Sequence, residues 1–69
     1  MEGELQQRVG RNLRAYRLDR GWSQETLADK LGVHRTYMGG IERGERNLTL
    51  KSVERIAARL RVDPLELLR

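Results

Sequence analysis

Sixty-nine residues make one domain around one small core, at a size where folding buries only about 60% of the surface of the unfolded chain. Fourteen Lys and Arg against ten Asp and Glu give a net charge of +4 and a pI near 10.3, which favours a polyanionic partner without identifying one. With no Cys there is no disulfide or thiolate metal site, and with no apolar run in MEGELQQRVG the expectation is a soluble, cytoplasmic protein with no signal peptide or membrane span.

Residues 4–20 read as a first helix. Leu5, Val9, Leu13 and Tyr16 fall on one stripe, and Gly21 follows as a C-terminal stop. Arg8, Arg11, Arg14, Arg17 and Arg20 recur every third residue, but each step of three turns the side chain back by about 60°. They therefore wrap the helix instead of forming one phosphate-binding row, and a solvated surface is the expectation for most of them.

The stretch 23–44, SQETLADKLGVHRTYMGGIERG, reads as two short helices broken at Gly32 and Val33. Ser23 is a good N-cap for the first, and Leu27, Ala28 and Leu31 share one apolar face. Trp22 and Leu27 flank the cap at the spacing of a hydrophobic staple, and Gly32 ends the helix. In the second helix Met38 and Ile41 point inward. The opposite face carries Thr36, Gly39, Gly40 and Arg43, with Arg35 at its edge. Long polar side chains normally stand opposite an apolar stripe. Two glycines, a threonine and arginines there mark a surface that something approaches closely, and the pattern is a helix-turn-helix.

After a loop from Gly44 to Leu48, Leu48 and Val53 can staple around Thr49 as N-cap of a fourth helix. Its buried face is Val53, Ile56, Ala57 and Leu60. Asp63 and Pro64 then start a final helix, PLELLR, too short to stand without docking. Leu65, Leu67 and Leu68 do not share one narrow face. Either all three close the core, or part of this apolar surface meets a second subunit.

The chemistry of the 34–43 face is that of nucleic-acid recognition. A helix fits the major groove of B-DNA, and the N-terminal residues of a recognition helix usually touch base edges. Here those are His34, Arg35, Thr36 and Tyr37. Arg35 can donate two parallel hydrogen bonds to guanine O6 and N7, a pairing worth about 1–3 kcal/mol of discrimination. Thr36 offers a hydroxyl to a base or phosphate and a methyl to thymine, though threonine also serves early helix turns. Tyr37, about 70° from the apolar centre, reads as half core and half contact. His34 at the helix start suits a cap or a phosphate contact more than base reading. As the sole histidine in a chain without cysteine it is no metal-ligand candidate. Gly39 and Gly40 each cost about 1 kcal/mol against Ala, which suits a helix seated deep in the groove. For Gly40, close packing on a neighbouring helix is an equal alternative. Ser23 and Gln24 open a helix whose free amides favour an anion, and Lys51 and Ser52 are weaker phosphate candidates.

With Gln24 opening the first helix, Ala28 at the tight crossing, Gly32 in the turn and Ile41 in the core, the stretch resembles the Cro/C1-type (XRE) helix-turn-helix family. The run HRTYMGGIERGERN, residues 34–47, is similar to the controller proteins of restriction-modification systems, small dimeric transcriptional regulators. The resemblance covers residues 5–62 and implies an all-α, five-helix, lambda-repressor-like fold. It makes 1–69 a single DNA-binding domain whose residues 62–69, through Leu65, Leu67 and Leu68, contribute to a dimer interface. It further implies a structural ion pair between Arg17 and Glu42. Gln24 would bind a phosphate and brace a recognition-helix side chain, and the loop bearing Arg43, Arg46 and Asn47 would lie on the DNA backbone. Arg61 stands where related sequences often carry Gly, so strain is expected at that helix end.

The expected function is a sequence-specific transcriptional regulator acting as a homodimer on a palindromic operator in double-stranded DNA. RNA polymerase is a further candidate partner; no cofactor, metal or membrane is implied. A DNA-binding antitoxin with a toxin partner, and a protein-interaction module that kept the fold without DNA, are the alternatives. An enzyme is the least supported class, since no paired carboxylates, Ser-His-Asp arrangement or phosphate-cradling Gly loop stands out.

Overall fold

Most helix starts follow from a single capping side chain. In the computed structural model, which describes residues 3–69, the helices are α1 (Glu4–Asp19), α2 (Gln24–Leu31), α3 (Arg35–Glu42), α4 (Leu50–Leu60) and α5 (Pro64–Leu68). Met1 and Glu2 of the expected 1–69 domain lie outside the described residues. Ser23 caps α2 by accepting from the Thr26 N–H at 3.0 Å, and Thr49 caps α4 by accepting from Ser52 N–H at 3.0 Å. Asp63 caps α5 through the Leu65 N–H at 2.9 Å, just ahead of Pro64. Gly32 ends α2 in the left-handed conformation, with φ 69°, which a residue lacking Cβ adopts without strain.

Apolar faces then decide the packing. α1 lies against α3 and α5, α2 against α3 and α4, and α4 against α5. Val9 and Leu13 of α1, Leu27 of α2, Met38 and Ile41 of α3, and Val53 and Ala57 of α4 meet in the centre, each almost wholly buried. Among the described residues no helix is long and apolar enough to cross a membrane.

Three features of the packing were not expected. Leu5, which the spacing places on the core stripe of α1, is exposed, and the adjacent Gln6 is buried. The first turn of α1 faces the loop after α3, whose main-chain groups need partners there. Gln6 Nε2 donates to the Gly44 carbonyl at 2.9 Å, and Gln6 Oε1 accepts from the Leu48 N–H at 3.4 Å. An amide can do both; a leucine can do neither. Next, Gly10 lies directly against the Ile41 carbonyl oxygen, and a Cβ on it would stand 2.8 Å from the Glu42 carbonyl oxygen. Glycine here sets how closely α1 approaches the end of α3. Finally, Asn12 Nδ2 donates to the Leu67 carbonyl at 2.9 Å and to the Arg69 carbonyl at 3.0 Å, tying the short α5 onto α1.

That docking corrects the expectation for the C-terminal leucines. Leu67 is 2% exposed and belongs to the core, so it is not available to a second subunit. Leu68 is half-buried against the core and Leu65 is 64% exposed. A helix of five residues can turn only one side into the core, and here that side is Leu67.

Arg61, the residue after α4, is the one non-glycine with positive φ among the described residues, at φ 58° and ψ 44°. An L-residue in this conformation costs roughly 1–2 kcal/mol, part of which glycine's larger unfolded-state entropy would cancel. Arg61→Gly should therefore stabilise the domain by about 0.5–1 kcal/mol, raising the midpoint of a circular-dichroism melt by about 4 °C.

Candidate nucleic-acid interface

α3 is built to be held rigidly from behind while its other face stays open. Met38 and Ile41 anchor it in the core, while Arg35 and Thr36 are exposed on its first turn. His34 caps it: the ring Nδ1 accepts from the Thr36 N–H at 3.1 Å. A neutral imidazole bonded this way carries its proton on Nε2, a donor that a phosphate can accept.

The last turn of α3 is locked by a buried charge network. Arg17 of α1 forms a bidentate pair with Glu42, Nε to Oε2 at 2.7 Å and Nη2 to Oε1 at 3.0 Å, with side chains only 11% and 3% exposed. Arg17 Nη1 also donates to the Trp22 carbonyl at 3.0 Å, and Gln24 Nε2 donates to Glu42 Oε1 at 3.0 Å. One carboxylate thus joins α1, α2 and α3. The hydrogen bond to Glu42 holds the Arg17 guanidinium above its ordinary pKa; burial opposes this and the Glu42 charge adds to it. Fork-to-carboxylate pairs of this kind are among the stronger hydrogen bonds in proteins. The recognition-helix side chain that Gln24 braces is Glu42. The donors Gln24 keeps for an anion are the second Nε2 hydrogen and its main-chain N–H, one of the first-turn amides of α2 that have no partner within the helix.

The arginines around this face are each laid against a neighbour. Arg35 Nη1 stands 3.8 Å from Glu25 Oε2, and Arg43 Nε stands 3.1 Å from Glu45 Oε1. The Arg46 guanidinium sits 5.1 Å from the centre of the Tyr37 ring. An open cleft between the starts of α2 and α3 is lined by Arg17, Ser23, Gln24, Glu25 and Arg35. Asn47 is exposed in the loop that follows Arg46.

The two glycines are placed differently from the expectation of a bare helix face. Gly39 is buried in the free protein, and a Cβ on it would meet Arg43 Nη1 at 3.1 Å and Gln24 Oε1 at 3.5 Å. Gly40 is buried beneath Arg46, whose Nε would be 2.8 Å from an added Cβ, so its close neighbour is an arginine side chain and not another helix. Both glycines form a floor over which arginines lie. Tyr37 is half-buried against the core and lines a small cavity with Ile41, Ser52 and Arg55, at the edge of α3 opposite Arg35.

The expected residues Ser23, Gln24, His34, Arg35, Thr36, Arg43, Arg46 and Asn47 thus come from the two helix starts and the loop after α3. Sequence reasoning missed Gln6, which pins that loop, and Gly10, which sets the height of α3. It also missed Glu25 and Glu45, the carboxylates beside the arginines. A glycine inside the helical pattern of residues 4–20 was the one available signal for Gly10, since it costs about 1 kcal/mol unless packing requires it.

Comparison with known proteins bears on what approaches this face. Residues 13–67 match the family described as helix-turn-helix, HTH_3. A hypothetical transcription factor of Neisseria meningitidis is 40% identical over 67 residues, a match spanning 97% of this chain and 63% of that protein. Control protein C.BamHI of Bacillus amyloliquefaciens is 41% identical, over 99% of this chain and 85% of its own length. The crystal structure of the restriction-modification controller protein C.AhdI from Aeromonas hydrophila superposes with a TM-score of 0.77 at 44% identity, covering 90% of this chain and 94% of that one.

Proposed function

Because the chain belongs to the HTH_3 helix-turn-helix family, we propose that it is a sequence-specific transcriptional regulator of controller type that binds a palindromic operator as a homodimer. The observation that carries the reading is the exposure of Arg35 and Thr36 on a helix braced by the buried Arg17–Glu42–Gln24 network.

In this reading α3 enters the major groove. Arg35 donates to guanine, Thr36 contacts a neighbouring base, Tyr37 contributes its exposed edge, and the Gly39 floor lets the helix approach. The α2 amides at Ser23 and Gln24, the His34 Nε2–H, Arg43, Arg46 and Asn47 hold phosphates on either side. Phosphate contacts set register and base contacts set preference. Each good base contact is worth about 1–3 kcal/mol, whereas a specific site typically needs about 4–10 kcal/mol over non-specific DNA. One helix with two or three readers supplies about 2–9 kcal/mol and covers that range only when every contact is near its best; two related by a twofold axis supply about twice as much. The exposed Leu65 and the half-buried Leu68 are the apolar surface assigned to the dimer contact.

Selection from a random DNA pool at moderate salt tests the proposal. The expected outcome is a palindrome with half-sites about one helical turn apart, close to 10 bp centre to centre. Arg35→Ala should then lose preference at one base pair of each half-site, by roughly 5- to 150-fold, with the fold intact. Weak, salt-sensitive binding without enrichment would refute operator recognition.

A further inference from the structure

The arginine placed to read a base is met, in the free protein, by a carboxylate on the same face. Glu25 lies in the first turn of α2, next to Gln24, and its Oε2 is 3.8 Å from Arg35 Nη1. Both side chains are mostly exposed, 75% and 66%. A negative charge at a helix start suits the helix dipole, but this is also the place where a phosphate would settle, and a carboxylate there opposes it. General affinity for DNA would be served better by a neutral residue.

We infer that Glu25 is a specificity-determining residue of the DNA-reading head, positioning Arg35 and repelling DNA that does not engage it; the inference rests on the DNA-binding reading above. At 3.8 Å the two groups attract through charge without a hydrogen bond, so the N–H groups of the Arg35 fork stay open for a base. When the fork meets guanine O6 and N7, Arg35 remains beside Glu25 and offsets its charge. On a sequence without that guanine, Arg35 swings to a phosphate and leaves Glu25 uncompensated against the DNA backbone. The same carboxylate is thus tolerated on the right sequence and repulsive on the wrong one. Glu45 is the internal comparison. It pairs with Arg43, assigned to a phosphate, which every sequence presents equally.

The test compares wild type, Glu25→Gln and Glu45→Gln on the selected operator and on a scrambled duplex of the same length at the same salt. Glu25→Gln keeps the shape of the side chain and removes its charge. It should bind the scrambled duplex several-fold tighter while leaving the operator affinity unchanged, so the ratio of the two affinities falls by the same several-fold, roughly three- to fivefold. Glu45→Gln should tighten both duplexes alike. With Arg35→Ala already in place, Glu25→Gln should also act on both duplexes alike, because there is no fork left to position. An unchanged ratio in Glu25→Gln, whether both affinities rise together or neither moves, overturns the inference alone. A wild type that prefers neither duplex overturns the DNA-reading assignment and the inference with it.

Discussion

Gly10→Ala should destabilise the domain by about 3 kcal/mol, although alanine is the better helix former by about 1 kcal/mol. The added methyl would run into the Ile41 carbonyl and come within 2.8 Å of the Glu42 carbonyl oxygen. Main-chain oxygens cannot rotate away as a side-chain tip can, so α1 and α3 must separate. That movement also strains the Arg17–Glu42 pair, which spans the same two helices. A chain of this size is typically stable by about 3–10 kcal/mol, so the loss consumes a large part of the total. Followed by circular dichroism, the melting midpoint should fall by roughly 15 °C. Gly39→Ala is the matched comparison. Its nearest neighbours are the tips of Arg43 and Gln24, which can yield, and its melting point should hold or rise slightly. If Gly10→Ala melted at or above the wild-type temperature, the close approach of α1 to α3 would be refuted.

Glu42→Ala should cost about 3–5 kcal/mol, the usual consequence of leaving one partner of a buried pair unmatched. The substitution strands Arg17, whose side chain is 11% exposed, and takes away the acceptor of Gln24. Arg17→Ala should be similarly harmful, and its first effect should be on folding rather than on DNA contacts. Replacing the pair together, Arg17→Met with Glu42→Leu, should recover most of the loss, because two well-packed apolar side chains carry no desolvation cost. Chemical denaturation of wild type, Arg17→Met, Glu42→Leu and the double variant closes a cycle and gives the coupling energy directly. A loss in the double variant equal to the sum of the two single losses would mean that the pair does not act as a unit. A raised arginine pKa contributes stability that is complete below the unfolded-state value and lost only as pH rises through the folded one. The Arg17 side of the pair therefore supplies a constant contribution across neutral pH.

Local chemistry by itself determined much of this protein. Ser23, Thr49, Asp63 with Pro64, and Gly32 set helix ends because a cap or a left-handed stop acts within about four residues of chain. The 3.6-residue period was enough to separate Met38 and Ile41 from Thr36 and Arg43, and so to identify the open face of α3. The pairing of Arg17 with Glu42 came from family resemblance, since no local rule joins residues 25 apart in sequence. Tertiary structure alone decided which segments meet. It placed Gln6 and not Leu5 against the loop after α3, used Gly10 as the contact point of two helices, and tied Asn12 to residues more than 50 positions away. It laid Arg43 and Arg46 over glycines that looked bare, and drew Leu67 alone of the C-terminal leucines fully into the core. Periodicity says which way a side chain points from its own helix. What it then touches depends on the height and angle at which another helix arrives, and a contact between distant residues has no signature in either segment alone.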